Sequence, residues 1–474
     1  MLLRRFVSAS TSLPPTIRQL LSSLQPTGQV TKVQLSGWIK SVRRQKNVTF
    51  AVINDGSCAS GLQAVLKPDA TPHNLTNGAS VRICGNLVQS VGRGQSYELH
   101  VEAVDVLGEC NPEAYPIQKQ ALPVEFLRDN AHLRARTDTN AAMLRLRDSV
   151  LRMLHSYYEA QDFHYVHTPI LTSNDCEGGG ETFRVLSTSS APSSRQLPDP
   201  SAQAEFFSQP AYLTVSSQLH LEALAASLSR VYTISPCFRA ERSQTNRHLA
   251  EFWMLEAELA FIDHVGDICY VVEESLKNVL LQCRSEHALL WNDGDEEKLK
   301  SLQDASRPEI PWTRISYTDA VKELQKYHAS SRVGFGFEPA WGRALQSEHE
   351  RWLSERLVGG PVFVTDYPTS LKPFYMRAND DEQTVACFDL LVPFIGELVG
   401  GSLREERTSY LVEAIRRHGL REEEYRWYVD LRKYGSAPHG GYGLGFERLV
   451  SWMSGIENVR ECIAMPRWAK RMLL

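Results

Sequence analysis

The run His439-Gly-Gly-Tyr-Gly-Leu-Gly-Phe-Glu-Arg448 decides how this chain is read. Gly441, Gly443 and Gly445 alternate with larger residues, so they fall on one face of an extended strand and leave that face open to a flat ligand or to another backbone. Glu447 and Arg448 then open an apolar helical pattern, Leu449-Val-Ser-Trp-Met453. The run is not a phosphate loop, which requires Gly-x-x-x-x-Gly-Lys-Ser/Thr. Nor is it a dinucleotide fingerprint, which requires Gly-x-Gly-x-x-Gly between a strand and a helix. Alternating glycine is equally compatible with a tight β-bulge.

Upstream, Cys237-Phe-Arg-Ala-Glu-Arg-Ser-Gln-Thr-Asn-Arg-His-Leu-Ala-Glu-Phe252 reads as an apolar strand ending in Arg239 and Glu241, a polar loop, and a second apolar strand from Glu251. A hairpin of this kind brings Arg239 beside the second strand. Further upstream, Asp162-Phe-His-Tyr-Val-His-Thr-Pro169 is a helix end leading into an extended segment that a proline stops. Each run alone has an ordinary reading: a surface hairpin, a strained strand, a helix-strand joint.

Outward from these, residues 140–161 carry Leu146, Val150, Leu154 and Tyr158 at helical spacing. Helices then alternate with apolar strands to the C-terminus, which predicts a large α/β or α+β domain over 140–474. Residues 30–110 hold five short strand-like stretches separated by Asp55-Gly56-Ser57, Asn77-Gly78 and Gly92-Arg93-Gly94, the pattern of a small OB-type barrel. Residues 111–139 read as a linker. Residues 187–203, STSSAPSSRQLPDPSAQ, have too few apolar side chains to offset the entropy of ordering them and are expected to form a mobile insertion. Residues 1–23 begin with an Arg- and Ser-rich, acid-free run of the type that directs mitochondrial import.

Composition sets the outer limits. Of 474 residues, 42% are hydrophobic and 23% charged, which excludes a fibre or a wholly disordered chain. No stretch approaches the roughly 20 apolar residues that a membrane-crossing helix needs, so no membrane partner is expected. Nine scattered cysteines contain no Cys-x-x-Cys, and no zinc is expected. The net charge of -5 means that a nucleic-acid partner would be held by local basic patches.

Taken in order, the three runs resemble the signature motifs of the class II aminoacyl-tRNA synthetases, and the barrel ahead of them is similar to the subgroup that charges aspartate, asparagine and lysine. The resemblance selects α+β and implies an OB-fold anticodon domain followed by a catalytic domain built on an antiparallel sheet flanked by helices. It also implies ATP and Mg²⁺ as reactants, tRNA as partner, and a homodimer through the first motif. Arg239 would reach the α-phosphate and substrate carboxylate, Glu241 the adenine amino group, and Phe252 would stack on the base. Arg247, His248 and Arg448 would hold the outer phosphates, with Gly445 and Glu447 beside them. Asp389 and Glu397 would bind Mg²⁺.

The segment Val215-Ser-Ser-Gln-Leu-His-Leu-Glu222 places Gln218 and Glu222 on one helix face and leucines on another, so Glu222 reads as a residue outside the core. Aspartate enzymes carry lysine where Glu222 stands. Together with Tyr367-Pro-Thr-Ser-Leu-Lys-Pro-Phe-Tyr-Met376 and Gly396-Glu-Leu-Val-Gly-Gly-Ser-Leu-Arg-Glu-Glu406, this resembles asparaginyl enzymes of the mitochondrial type and implies L-asparagine, tRNA(Asn) and the mitochondrial matrix. Glu222 would accept from the substrate side-chain NH₂ while Arg404 donates to its carbonyl. Glu177, Gln218 and Glu256 would surround the ammonium, and Arg43, Phe50 and Gln63 would hold the anticodon. The alternatives are an aspartyl or nondiscriminating synthetase, a catalytically silent RNA-binding paralogue, and an ammonia ligase on the same catalytic fold.

Overall fold

The computed structural model describes residues 13–24, 30–90, 92, 95–173, 181–187, 206–243, 245–282, 290–291 and 295–474. The chain divides into two units, Met1–Ala142 and Met143–Leu474.

In the first unit, alternation of apolar and polar residues lets five strands roll into a closed barrel whose interior is filled by Leu35, Ile39, Ile53, Leu62 and Ile83, each at most 3% exposed. These are β1 (Thr31–Arg44), β2 (Thr49–Asn54), β3 (Leu62–Leu66), β4 (Ser80–Gln89) and β5 (Tyr97–Gly108), closing in the order β1-β2-β3-β5-β4. Directly paired residues share a face, so the pairs Arg43 with Phe50, Val52 with Gln63, and Gln63 with Glu98 put these side chains on the barrel's outer surface.

Two stretches of this unit hold structure that the sequence reading did not anticipate. The segment assigned to an import signal contains the helix Ile17–Ser23, closed at its start by a reciprocal Thr16–Gln19 capping box. Ile17 is 1% exposed within the barrel core, and its backbone N–H donates to Asp55 Oδ2 at 2.8 Å. This helix is therefore barrel structure; residues 1–12 lie outside the described residues. The stretch read as linker holds two short helices, Val124–Asp129 and Ala131–Arg134, with Arg128 and Arg134 buried.

The second unit begins with the rest of the helix Asp138–Ala160, whose Leu146, Val150, Leu154 and Tyr158 are fully buried at the expected spacing. Its strands are β6 (His164–Tyr165), β7 (Leu171–Thr172), β8 (Arg184–Val185), β9 (Ala211–Leu213), β10 (Arg230–Phe238), β11 (Glu251–Ala260), β12 (Thr313–Ser316), β13 (Val362–Thr365), β14 (Cys387–Val392), β15 (Gly396–Leu403) and β16 (His439–Gly445). Among the described residues eight of them form one sheet, ordered β12-β13-β14-β15-β16-β11-β10-β6, and β7-β9-β8 form a small second sheet. The large sheet is antiparallel through its middle, with a parallel pair at each edge. The expected insertion at 187–203 lies, apart from Ser187, outside the described residues.

Register places the chemistry. Across the sheet, Asp389 pairs with Gly400, Gly400 with Gly443, Gly443 with Glu256 and Glu256 with Thr233, so two carboxylates face the same side across a glycine gap. In the adjacent row Ser402 pairs with Gly441 and Gly441 with Glu258. Gly440 points the other way, toward Ile268 of the helix Val265–Gln282, which covers the opposite face.

Candidate active site

The glycines of β16 form the floor of the site. A Cβ on Gly441 would lie 2.0 Å from Glu258 Oε2 and 2.2 Å from the Ala257 carbonyl, and one on Gly443 would lie 3.0 Å from Met254 Sδ. The absent side chains are the room in which the β11 side chains lie. Gly445 is different: its nearest neighbour would be the Arg448 side chain at 3.5 Å, an ordinary contact.

Two cavities open on this floor. Arg239, Glu241, Arg247, His248, Phe252, Glu397, Gly445, Glu447 and Arg448, all expected at the nucleotide, line the first. The hairpin pairs Cys237 with Phe252, which brings the Arg239 guanidinium 5.6 Å from the Phe252 ring centroid. His248 Nε2 stands 3.3 Å from Glu241, and Arg247 is held by Glu350 at 3.2 Å and Ser347 at 2.8 Å. Arg448 donates to the Glu397 carbonyl at 2.8 Å. Burial pushes Glu397 up, but Arg448, Lys372, Arg247 and Arg239 outweigh it and hold the carboxyl below its ordinary value. Three arginines and three carboxylates line the cavity, and because the third carboxylate, Glu447, is neutralised by Arg147, the cavity remains suited to a polyanion. Glu447 lines this cavity, but its carboxylate is engaged elsewhere: Oε1 is 2.7 Å from Arg147, and Oε2 accepts the Trp253 N–H at 2.9 Å. It ties the helix Asp138–Ala160 to β11.

The second cavity is lined by Gln218, Glu256, Glu258, Lys372, Asp389 and Arg404, and it shares Arg239, Met254, Glu397 and Gly443 with the first. The Glu256 carboxylate accepts the Ser217 N–H at 2.9 and 3.0 Å and the Ser216 hydroxyl; burial raises its pKa above the ordinary value despite these donors. Arg404, 3% exposed, donates through Nε and Nη2 to Glu258 at 3.1 and 2.9 Å and through Nη1 to Ser402 Oγ at 2.8 Å. Among the described residues, each terminal nitrogen keeps one N–H beyond these bonds, and the side chain lines the cavity. Asp389 accepts from Lys372 Nζ through both oxygens, at 2.8 and 2.9 Å.

Glu222 departs from expectation. It does share a face with Gln218, whose Nε2 donates to it at 3.2 Å, but that face is turned inward and the side chain is fully buried. The reading of Glu222 as outside the core fails because charge was equated with exposure, whereas here cations bury with it. Its oxygens accept from the Tyr428 hydroxyl at 2.7 and 2.9 Å, from Arg432 Nη2 at 2.7 Å and from His439 Nε2 at 3.1 Å, and Arg404 Nε is 3.8 Å away. Burial opposes its ionisation, but Arg432, His439 and Arg404 prevail and hold it well below the carboxylate range. It is not among the residues lining the cavity. Glu177 lies outside the described residues. Glu222, Glu258 and His439 converge closely enough to suggest a metal cluster, but the guanidinium groups of Arg404 and Arg432 already supply its positive charge.

On the barrel, Arg43 is exposed and its guanidinium lies 5.9 Å from the Phe50 ring centroid, with Gln63 half-buried two strands away.

Comparison with known proteins decides what this geometry belongs to. Residues 123–469 match the model for tRNA synthetases class II (D, K and N), and residues 33–107 match the OB-fold nucleic acid binding domain. An asparagine–tRNA ligase of Thermosynechococcus vestitus is 43% identical over 95% of this chain and 98% of its own length. The chain belongs to the class II asparagine–tRNA ligases. A family member of Arabidopsis thaliana named as chloroplastic/mitochondrial is 44% identical over 92% of this chain and 79% of its own length. The solved asparaginyl-tRNA synthetase of Pyrococcus horikoshii, complexed with asparaginyl-adenylate, superposes with a TM-score of 0.82 at 30% identity, covering 97% of this chain and 99% of that one.

Within this ligase fold, sequence reasoning missed Glu258, Ser402, Tyr428, Arg432 and His439. Glu256 and Glu258 are two apart in an apolar strand, and that period alone places both on one face. Tyr428 and Arg432 sit on a short amphipathic helix, Arg426–Lys433, and carry no comparable signal.

Proposed function

We propose that this chain joins L-asparagine to tRNA(Asn) through an asparaginyl-adenylate. The observation that carries the reading is that Arg239 and Glu397 line both cavities, so the two reactants of the first step would meet there. The asparagine α-carboxylate attacks the α-phosphate of ATP in line and pyrophosphate leaves toward Arg247, His248 and Arg448; a hydroxyl of the terminal tRNA ribose then attacks the acyl carbonyl, losing its proton as the ester forms and AMP leaves. The first step needs no general base, because the nucleophile is already a carboxylate. Its barrier falls through placement and through fixed positive charge on the phosphoryl oxygens. Glu256 faces the substrate ammonium, and Arg404 donates to the side-chain carbonyl.

Mg²⁺ fits the donor set. A Cβ at Gly400 would stand 3.5 Å from both Asp389 Oδ1 and Glu397 Oε1, so the glycine leaves these hard oxygens facing a common space. When bound, the ion would neutralise phosphate charge. Glu397 would hold it, with Asp389 sharing its oxygens between the ion and Lys372.

Arg43, Phe50 and Gln63 bind the anticodon: Phe50 stacks on a base of any kind, whereas Gln63 offers a donor and an acceptor to a base edge. The enzyme works as a homodimer in the mitochondrial matrix. The dimer reading is supported by Tyr165, Ile170 and Leu171, which are 41 to 45% exposed around the first motif. The compartment is supported by the basic, acid-free first residues. The test is to incubate the enzyme with asparagine, ATP and Mg²⁺, identify Asn-AMP by mass spectrometry, and chase it with tRNA(Asn). Absence of both adenylate and charged tRNA would reject the activity.

A further inference from the structure

Behind the amino acid pocket lies a set of buried charges that the reaction as written leaves without a task. Tyr428 and Arg432, one turn apart on the helix Arg426–Lys433, both turn inward onto Glu222. Arg432 and Glu222 have fully buried side chains, and Arg432 Nη2 also donates to the Tyr428 hydroxyl oxygen at 2.9 Å. Arg432 Nε donates to the Glu405 carbonyl at 3.0 Å, the backbone group next to Arg404. One arginine therefore fixes Glu222 and the chain beside Arg404 together.

Such an arrangement is costly unless every charge is paired, and removing one partner strands the others. Its consequence for the pocket runs through Gln218. An ionised carboxylate can only accept hydrogen bonds, so the amide end that Gln218 turns toward Glu222 must be its NH₂. The amide oxygen of Gln218 is then the end presented elsewhere, and Gln218 lines the cavity whereas Glu222 does not, so Gln218 is assigned to the substrate side-chain amide in place of the ammonium expected from the sequence. The same Glu222 carboxylate faces Arg404 Nε at 3.8 Å, and Glu258 and Ser402 orient the rest of that guanidinium. The pocket thus offers one acceptor, from Gln218, and two donors, from Arg404. A carboxamide, with an NH₂ and a carbonyl, matches both. A carboxylate would put an acceptor against the Gln218 oxygen.

We propose that Tyr428 and Arg432 are positioning residues for recognition of the substrate side-chain amide, acting through Glu222 on Gln218 and Arg404. The proposal rests on the asparagine reading of this site. It differs from direct contact by Glu222, because direct contact requires a carboxylate free to turn toward the cavity.

The test uses the full-length enzyme carrying Arg432→Met, Arg432→Lys or Tyr428→Phe, each checked by thermal melting, with pyrophosphate exchange measured against asparagine and against ATP. Arg432→Met should raise the KM for asparagine about tenfold or more, while the KM for ATP and kcat change less than about threefold. Arg432→Lys should recover part of the loss, since it restores the charge without the fork. Tyr428→Phe removes one hydroxyl and leaves no void; it should shift the same KM in the same direction by a smaller factor, and it decides the matter if Arg432→Met does not fold. An unchanged asparagine KM in folded Arg432→Met or Tyr428→Phe overturns the proposal. So does an equal loss in both KM values and kcat, which would mean support of the fold alone. A wild-type enzyme inactive with asparagine would instead overturn the activity reading and this proposal with it.

Discussion

Among the described residues, Arg239 is the one cationic side chain that lines both cavities, where Glu397 is its acidic counterpart. Arg448 reaches the first cavity alone, anchored on the Glu397 carbonyl. Loss of a fixed donor to a developing charge costs on the order of 3 kcal/mol, or 10²-fold in rate. Arg239→Ala and Arg448→Ala should each lower asparagine-dependent pyrophosphate exchange by about that factor with melting temperature little changed. Near wild-type exchange in either would remove that residue from the phosphate site. The glycines divide differently. Gly441→Ala would drive a methyl into Glu258 and the Ala257 carbonyl, both rigid, and should cost more than about 2 kcal/mol of stability, as overpacking does. Gly445→Ala meets only the flexible Arg448 side chain, and its fold should survive. Equal melting temperatures for the two would contradict the floor described for the site.

At the scale of elements, what was legible in the sequence was what repeats or lies close along the chain. Barrel strands, the helix carrying Leu146, Val150, Leu154 and Tyr158, and the hairpin of Arg239 and Phe252 follow from periods of 2 and 3.6 and from local order. Glu222 was placed on the correct helix face and the wrong side of the surface. Its partners Tyr428 and Arg432 are 206 and 210 residues away, and no local pattern announces a carboxylate whose counter-charges arrive from so far. The helix Ile17–Ser23 was concealed for a related reason: a basic, acid-free composition looks like a signal, while the burial of Ile17 depends on the barrel it packs into. The outer face of β1, β2 and β3 offers its own experiment. Phe50→Ala and Gln63→Ala remove a ring and an amide from the barrel surface, far in the chain from every catalytic motif. Stacking of one base contributes about 1 to 3 kcal/mol. Charging of tRNA should fall by a corresponding factor in Phe50→Ala while pyrophosphate exchange holds; a matching fall in exchange would mean that these residues serve the fold.

For the molecule as a whole, a net charge of -5 provides no general attraction for RNA, so selectivity for both substrates is assembled locally, on one barrel face and one sheet face. The side-chain pocket is where the family's two closest chemistries separate. Arg404 would donate equally to the amide oxygen of asparagine or to an oxygen of aspartate. The buried, ionised Glu222 and the Gln218 amide that it orients favour the ligand that brings a donor. An aspartate carboxylate would instead set an acceptor against the Gln218 amide oxygen and bring a second negative charge toward the buried Glu222, with Arg404 offsetting part of the cost. The most direct measurement is therefore pyrophosphate exchange by the wild-type enzyme with asparagine and aspartate side by side. Asparagine should be favoured in kcat/KM by about a hundredfold or more, as expected where a substrate donor is replaced by an acceptor in a site built to hydrogen-bond it. Comparable exchange with aspartate would contradict the assignment and make the enzyme nondiscriminating.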